Sequence, residues 1–109
     1  MAAINKRLAK GVFSAVPNTV IYTSPPGAGN YTIVKSLTIC NKLETSAWIT
    51  LVFAGVEILA GYVIAGRDTV TIPVFDQIIH AGETIYATAS AEENITYYMS
   101  GKEVTPDAV

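Results

Sequence analysis

A single histidine and a single cysteine among 109 residues leave this chain little reactive chemistry. A nucleophilic centre of the serine, histidine and acid type needs an imidazole to take the proton, and His80 is the sole candidate. It precedes Ala81 and Gly82 in a turn-like stretch, and nothing in the sequence marks a nucleophile or an orienting acid beside it. Cys40 has no partner for a disulfide, and in a strand of alternating pattern it reads as a small buried hydrophobe. The His, Cys and carboxylate inventory shows no zinc-ligand spacing, so neither a metal nor a cofactor is expected. Paired acids are missing too: Glu92 and Glu93 are neighbours in a turn, where their side chains diverge, and Glu57, Asp68, Asp76 and Glu83 are scattered. Gly27 and Gly29 are not followed by the helix that phosphate cradling requires. The chain is therefore not expected to be an enzyme.

Charge is the next shortage. Charged residues make up 15% of the chain, against about 25% in ordinary usage, while half of the residues are apolar. Few charges remain to solvate a free surface, which points to a homo-oligomer that hides part of it. A net charge of −2 gives no broad cationic field, so nucleic acid is a poor partner for the domain as a whole. Lys6, Arg7 and Lys10 are the local exception, three of the seven basic residues within the first ten positions. They read as an arm that seeks phosphate or a partner, or as the solvated start of a strand. The first residues do not have the pattern of a secretory signal, and the sequons at Asn30 and Asn94 carry no weight without one.

The sequence also lacks helical periodicity. Residues 47–65 have the length and apolarity of a membrane span, but Glu57 stands in the middle and Ala54-Gly55 is a turn signal. Their Ile, Val, Thr, Phe and Tyr content favours two strands joined by a tight turn, so no membrane span is expected. Similar punctuation continues along the chain. Pro17-Asn18, the loop of Pro25, Pro26, Gly27 and Gly29, Gly66-Arg67-Asp68, residues 80–83 and residues 91–94 separate segments of strand length.

Strands are read to the end of an opening segment at Val12 and Phe13, then over residues 19–23, 31–41, 47–53, 56–65, 69–74, 83–90 and 95–101. The sixth contains Pro73, which argues for an edge or a strand end. About eight short antiparallel strands predict an all-β domain over residues 1–104, a β-sandwich, jelly roll or small barrel, with a frayed polar tail at 105–109. Alternation places Ala47, Ile49, Leu51 and Phe53 in the core, with Ile85, Ala87 and Ala89. It places Tyr31, Ile33, Leu37 and Ile39 together on one face, which Lys35 interrupts. Trp48, Tyr86 and Tyr98 fall opposite the core faces, so they are interface candidates or a platform for a sugar.

The chain resembles small virion proteins of tailed phages, and the similarity covers most of it. The residues that carry it are Tyr22, Thr23 and Pro25; Ile33 to Ser36 with Thr38, Cys40 and Asn41; Ala81 to Ile85; Ala87, Ala89 and Ser90; and Ser100, Gly101, Glu103 and Val104. The doubled proline and Gly29 in the first loop depart from that pattern. The resemblance implies a non-enzymatic β-sandwich located in the virion, as a capsid decoration, a head-fibre component or part of the tail, in contact with other virion proteins. It implies no catalytic residues. The alternative is a receptor-binding module for a host glycan. The interface candidates are then Trp48, Tyr86, Tyr98, Lys6, Arg7 and Lys10.

Overall fold

A computed structural model describes residues 2–72, 76–91 and 94–105 of the chain. Among them are nine strands and no helix: β1 (Ala2–Val12), β2 (Thr19–Thr23), β3 (Tyr31–Asn41), β4 (Ala47–Phe53), β5 (Val56–Ile64), β6 (Thr69–Ile72), β7 (Gln77–His80), β8 (Thr84–Ala89) and β9 (Ile95–Thr105). All pairings are antiparallel, and they nest: β1 with β9, β2 with β8, β3 with β6 and β7, and β4 with β5. A long hairpin rolled on itself gives this order, and β9 then meets β3 while β8 meets β4. The result is a jelly-roll sandwich, with one sheet ordered β1-β9-β3-β6 plus β7 on β3, and the other ordered β2-β8-β4-β5.

The apolar stretch at 47–65 is the predicted hairpin. Ala54 and Gly55 have φ of 50° and 84°, the positive pair that a type I′ turn needs to match strand twist. Alanine carries a steric cost there that asparagine does not, so Ala54→Asn is expected to raise stability by roughly 0.5–1 kcal/mol. A thermal melt should show a rise of several degrees.

The core lies between the sheets. Ile49, Leu51 and Phe53 of β4 and Ile85, Ala87 and Ala89 of β8 meet Val34, Leu37, Ile39, Ile95 and Met99 of the facing sheet, as the alternation predicted for β4 and β8. Phe13 closes one margin by stacking on Tyr97, with centroids 4.5 Å apart. A buried polar staple joins the sheets at the end of β3. Asn41 donates through Nδ2 to the carbonyls of Thr45 at 3.1 Å and Ile64 at 3.0 Å, and its Oδ1 accepts from the Leu43 amide at 3.0 Å.

Four sequence expectations are corrected. Gln77–His80 is a ninth strand, paired to the first half of β3 as β6 is to the second. It is too short to show alternation. Tyr31 and Ile33 do not share a face with Leu37 and Ile39, because a bulge at Lys35 shifts the phase of β3; Thr32 and Val34 turn inward instead, and Lys35 reaches Asp76 at 2.7 Å. Cys40 faces outward and is half-buried. The strand into the C-terminal region continues past Lys102, with Val104 buried and Thr105 still paired to Ala2. Pro73, Val74, Glu92 and Glu93 and the tail at 106–109 lie outside the described residues.

Candidate functional surfaces

The register aligns the outward side chains of each sheet into rows. On the five-stranded sheet these are Arg7, Ser100 and Ser36; then Lys10, Tyr98, Thr38 and Thr71; then Val12, Thr96, Cys40 and Thr69. Cations, hydroxyls and one half-exposed tyrosine dominate these rows, with Val12 and Cys40 at their end. Ser36 and Ser100 hydrogen-bond at 2.7 Å, and Arg7 lies over the Tyr98 ring, 5.8 Å from its centroid. Lys10, Thr38, Cys40, Thr96 and Tyr98 line a shallow depression here. Arg7 and Lys10 share the face only because β1 has a bulge at Leu8; an unbroken period of two would turn residues 7 and 10 to opposite sides.

The four-stranded sheet presents a different surface. Its rows are Val20, Tyr86, Val52 and Glu57; then Thr88 and Thr50; and then Trp48 beside Val63. Trp48 is 41% exposed and Val63 63%, with Val20 at 50%. Glu57 is the one charge in these rows. Tyr86 lies opposite Val52, four residues along β4 from Trp48, which separates the two aromatics by roughly 13 Å. Two bulges in β5, one of them at Gly61 with φ 62°, distort this edge strand so that a further strand would not add in register. The exposed face, and not the edge, is what β4 and β5 offer to a partner.

The predicted candidates are thus divided among three places. Trp48 and Tyr86 share one outer face; Tyr98, Arg7 and Lys10 share the opposite one; and Lys6 points between the sheets. No single platform joins Trp48, Tyr86 and Tyr98.

Where Lys6 points, the sandwich contains a polar clasp that the sequence reading missed. Lys6 pairs with Glu103 Oε1 at 3.0 Å, and Tyr22 of the opposite sheet donates to Oε2 at 2.5 Å. The Tyr22 oxygen is 2.9 Å from the Thr32 hydroxyl, and that hydroxyl is 2.8 Å from the Ser24 hydroxyl. Each hydroxyl has one proton to give. Since Tyr22 gives its own to the carboxylate, Thr32 must donate to Tyr22 and Ser24 to Thr32. Ser24 and Thr32 are fully buried. Burial, the proximity of the carboxylate and the bond to it push the Tyr22 hydroxyl well above its ordinary range. Burial acts to raise Glu103 as well, but the bonds from Tyr22 and Lys6 outweigh it and hold the carboxyl below the usual value.

His80 ends β7, and its backbone amide donates to Glu83 Oε1 at 2.8 Å. Among the described residues no three His, Cys, Asp or Glu side chains are grouped to hold a metal ion. No helix among them is long and apolar enough to cross a membrane.

No protein-family model and no curated protein sequence matches the chain. Among solved structures, it is similar to the CBM36-1 domain of a multidomain xylanase from the hindgut metagenome of Trinervitermes trinervoides. The identity is 13% and the TM-score 0.43, over 99% of this chain and all of that one.

Proposed function

We propose that this chain is a non-enzymatic structural protein of a tailed-phage particle, which self-associates and contacts other virion proteins through the outer face of its four-stranded sheet. The observation that carries the assembly reading is the pair of apolar rows on that face, Val20, Tyr86 and Val52 on one side of the Thr50 and Thr88 pair and Trp48 and Val63 on the other, with Glu57 the one charge among them. Apolar side chains presented in this way, with an accessible tryptophan, are the composition of an interface centre. The location in the virion rests on the sequence resemblance.

Light scattering coupled to size exclusion tests self-association, and mass spectrometry of purified particles tests location. The wild-type chain is expected to run as an oligomer and to be found in particles. Trp48→Glu should shift it to monomer with an unchanged far-ultraviolet spectrum, because loss of a buried interfacial tryptophan costs about 2 kcal/mol or more. A wild-type monomer at every concentration would overturn the assembly reading. Intact particles that lack the chain would overturn its location.

A further inference from the structure

We propose that the outer face of the five-stranded sheet is a binding site for an acidic saccharide, held by Arg7, Lys10 and Tyr98 over a floor of serine and threonine hydroxyls. The inference is independent of the assembly proposed for the opposite face.

Charge selects the ligand's sign. Arg7 and Lys10 stand one row apart, both exposed, and the outward rows of β1, β9, β3 and β6 from Arg7 to Thr71 contain no carboxylate. The Arg7 guanidinium lies over the Tyr98 ring, 5.8 Å from its centroid, which places a planar fork beside that ring. A carboxylate suits that fork, since it can accept two parallel bonds.

The floor selects the rest of the ligand. Ser36, Ser100, Thr38 and Thr96 lie beside Tyr98 in the rows, and every one of these hydroxyls can accept, while the Ser36 and Ser100 pair has one proton left to give. The Ser36 and Ser100 pair, joined at 2.7 Å, retains lone pairs for an incoming donor. A sugar ring presents hydroxyls at its rim and apolar C–H groups on its faces. The first suit this floor, and the second suit a half-exposed tyrosine. The shallow depression against Lys10, Thr38, Thr96 and Tyr98, with Gly11, Cys40 and Tyr97 as its apolar part, gives such a ring a seat. A nucleic acid strand is disfavoured, because two cations are few for a backbone with a charge at every nucleotide.

Titration calorimetry with hexagalacturonate, neutral maltohexaose and poly(dT) tests this, using the full chain and the variants Arg7→Gln/Lys10→Gln and Tyr98→Ala. The double variant changes only exposed side chains and should keep the wild-type melting profile. Hexagalacturonate is expected to bind with an affinity that falls as salt rises, and maltohexaose to bind at least tenfold more weakly. Both variants should lose tenfold or more, while Trp48→Glu retains the wild-type affinity. No binding of hexagalacturonate, equal binding of maltohexaose, tighter binding of poly(dT), or an unchanged affinity in the double variant would each overturn the proposal.

Discussion

Replacing Gly101 with alanine is expected to lower stability by about 3 kcal/mol, the upper end of what overpacking a well-filled site costs. Gly101 is buried in β9, the strand between β1 and β3, where two bulges meet. Leu8 is the extra residue of β1, between the partners of Ser100 and Met99, and Lys35 is that of β3, between the partners of Gly101 and Ser100. A methyl group at 101 would fall on the Ile33 carbonyl oxygen and within 2.9 Å of Leu8 Cδ1. Leucine can move, but the carbonyl cannot without breaking the β3–β9 ladder.

For a domain of this size the loss amounts to a drop of roughly 15 °C in melting temperature. Gly82→Ala is the control. A Cβ there meets nothing within 4 Å, and only its φ of 78° is adverse, so about 1–2 kcal/mol is expected. Urea denaturation of the two variants checks the order, and equal losses would show that the contact at Gly101 is not tight. Since a methyl group at 101 would press on Leu8, the bulged residue of β1, the alanine variant should also disturb the face that carries Arg7 and Lys10.

The second large effect concerns the clasp. Tyr22→Phe removes the donor to a largely covered carboxylate and leaves Thr32 without its acceptor, so a loss of roughly 1.5–3 kcal/mol is expected. The clasp also makes stability depend on pH at both ends. Glu103 has a lowered pKa in the folded chain, so its contribution is complete above the ordinary carboxylate value of 4.5 and disappears as pH falls through the folded value. Tyr22 has a raised pKa, so its contribution is complete below the ordinary value of 10.0 and declines as pH rises above it.

Denaturation midpoints across pH should therefore fall at both extremes. Glu103→Gln should flatten the acid limb. Tyr22→Phe should flatten part of the alkaline limb, not all, because burial also raises Tyr97. An alkaline limb identical in wild type and Tyr22→Phe would show that the Tyr22 hydroxyl does not hold the sheets together.

Much of the architecture was legible because strand periodicity and turn chemistry are local. The boundaries of β2, β3 and β4 follow from proline, glycine and asparagine placement, and the core residues of β4 and β8 from a period of two that nothing interrupts. Gln77–His80 was missed because a four-residue strand contains too few alternations to register. Alternation puts Tyr31 and Ile33 on the face of Leu37 and Ile39 only if β3 is continuous, and Lys35 is the inserted residue that ends the phase.

The clasp had no sequence signal. Lys6, Tyr22, Thr32 and Glu103 come from four strands, and only the folding of the roll brings them within hydrogen-bond distance.

By itself the sequence determined that the chain is an all-β domain with few charges, and that Trp48 and Tyr86 point away from the core. These properties depend on neighbours one or two residues apart. Tertiary structure decided which strands pair, that the pairs nest into a jelly roll, and that the six candidate residues are divided between two opposite faces and the space between the sheets. The reason is physical: a bulge of one residue reverses every side chain beyond it, and whether a strand bulges is set by the strand it pairs with. Arg7 and Lys10 are the clearest case. They share a face because Leu8 bulges opposite Ser100 and Met99, in a pairing of strands that lie at opposite ends of the chain.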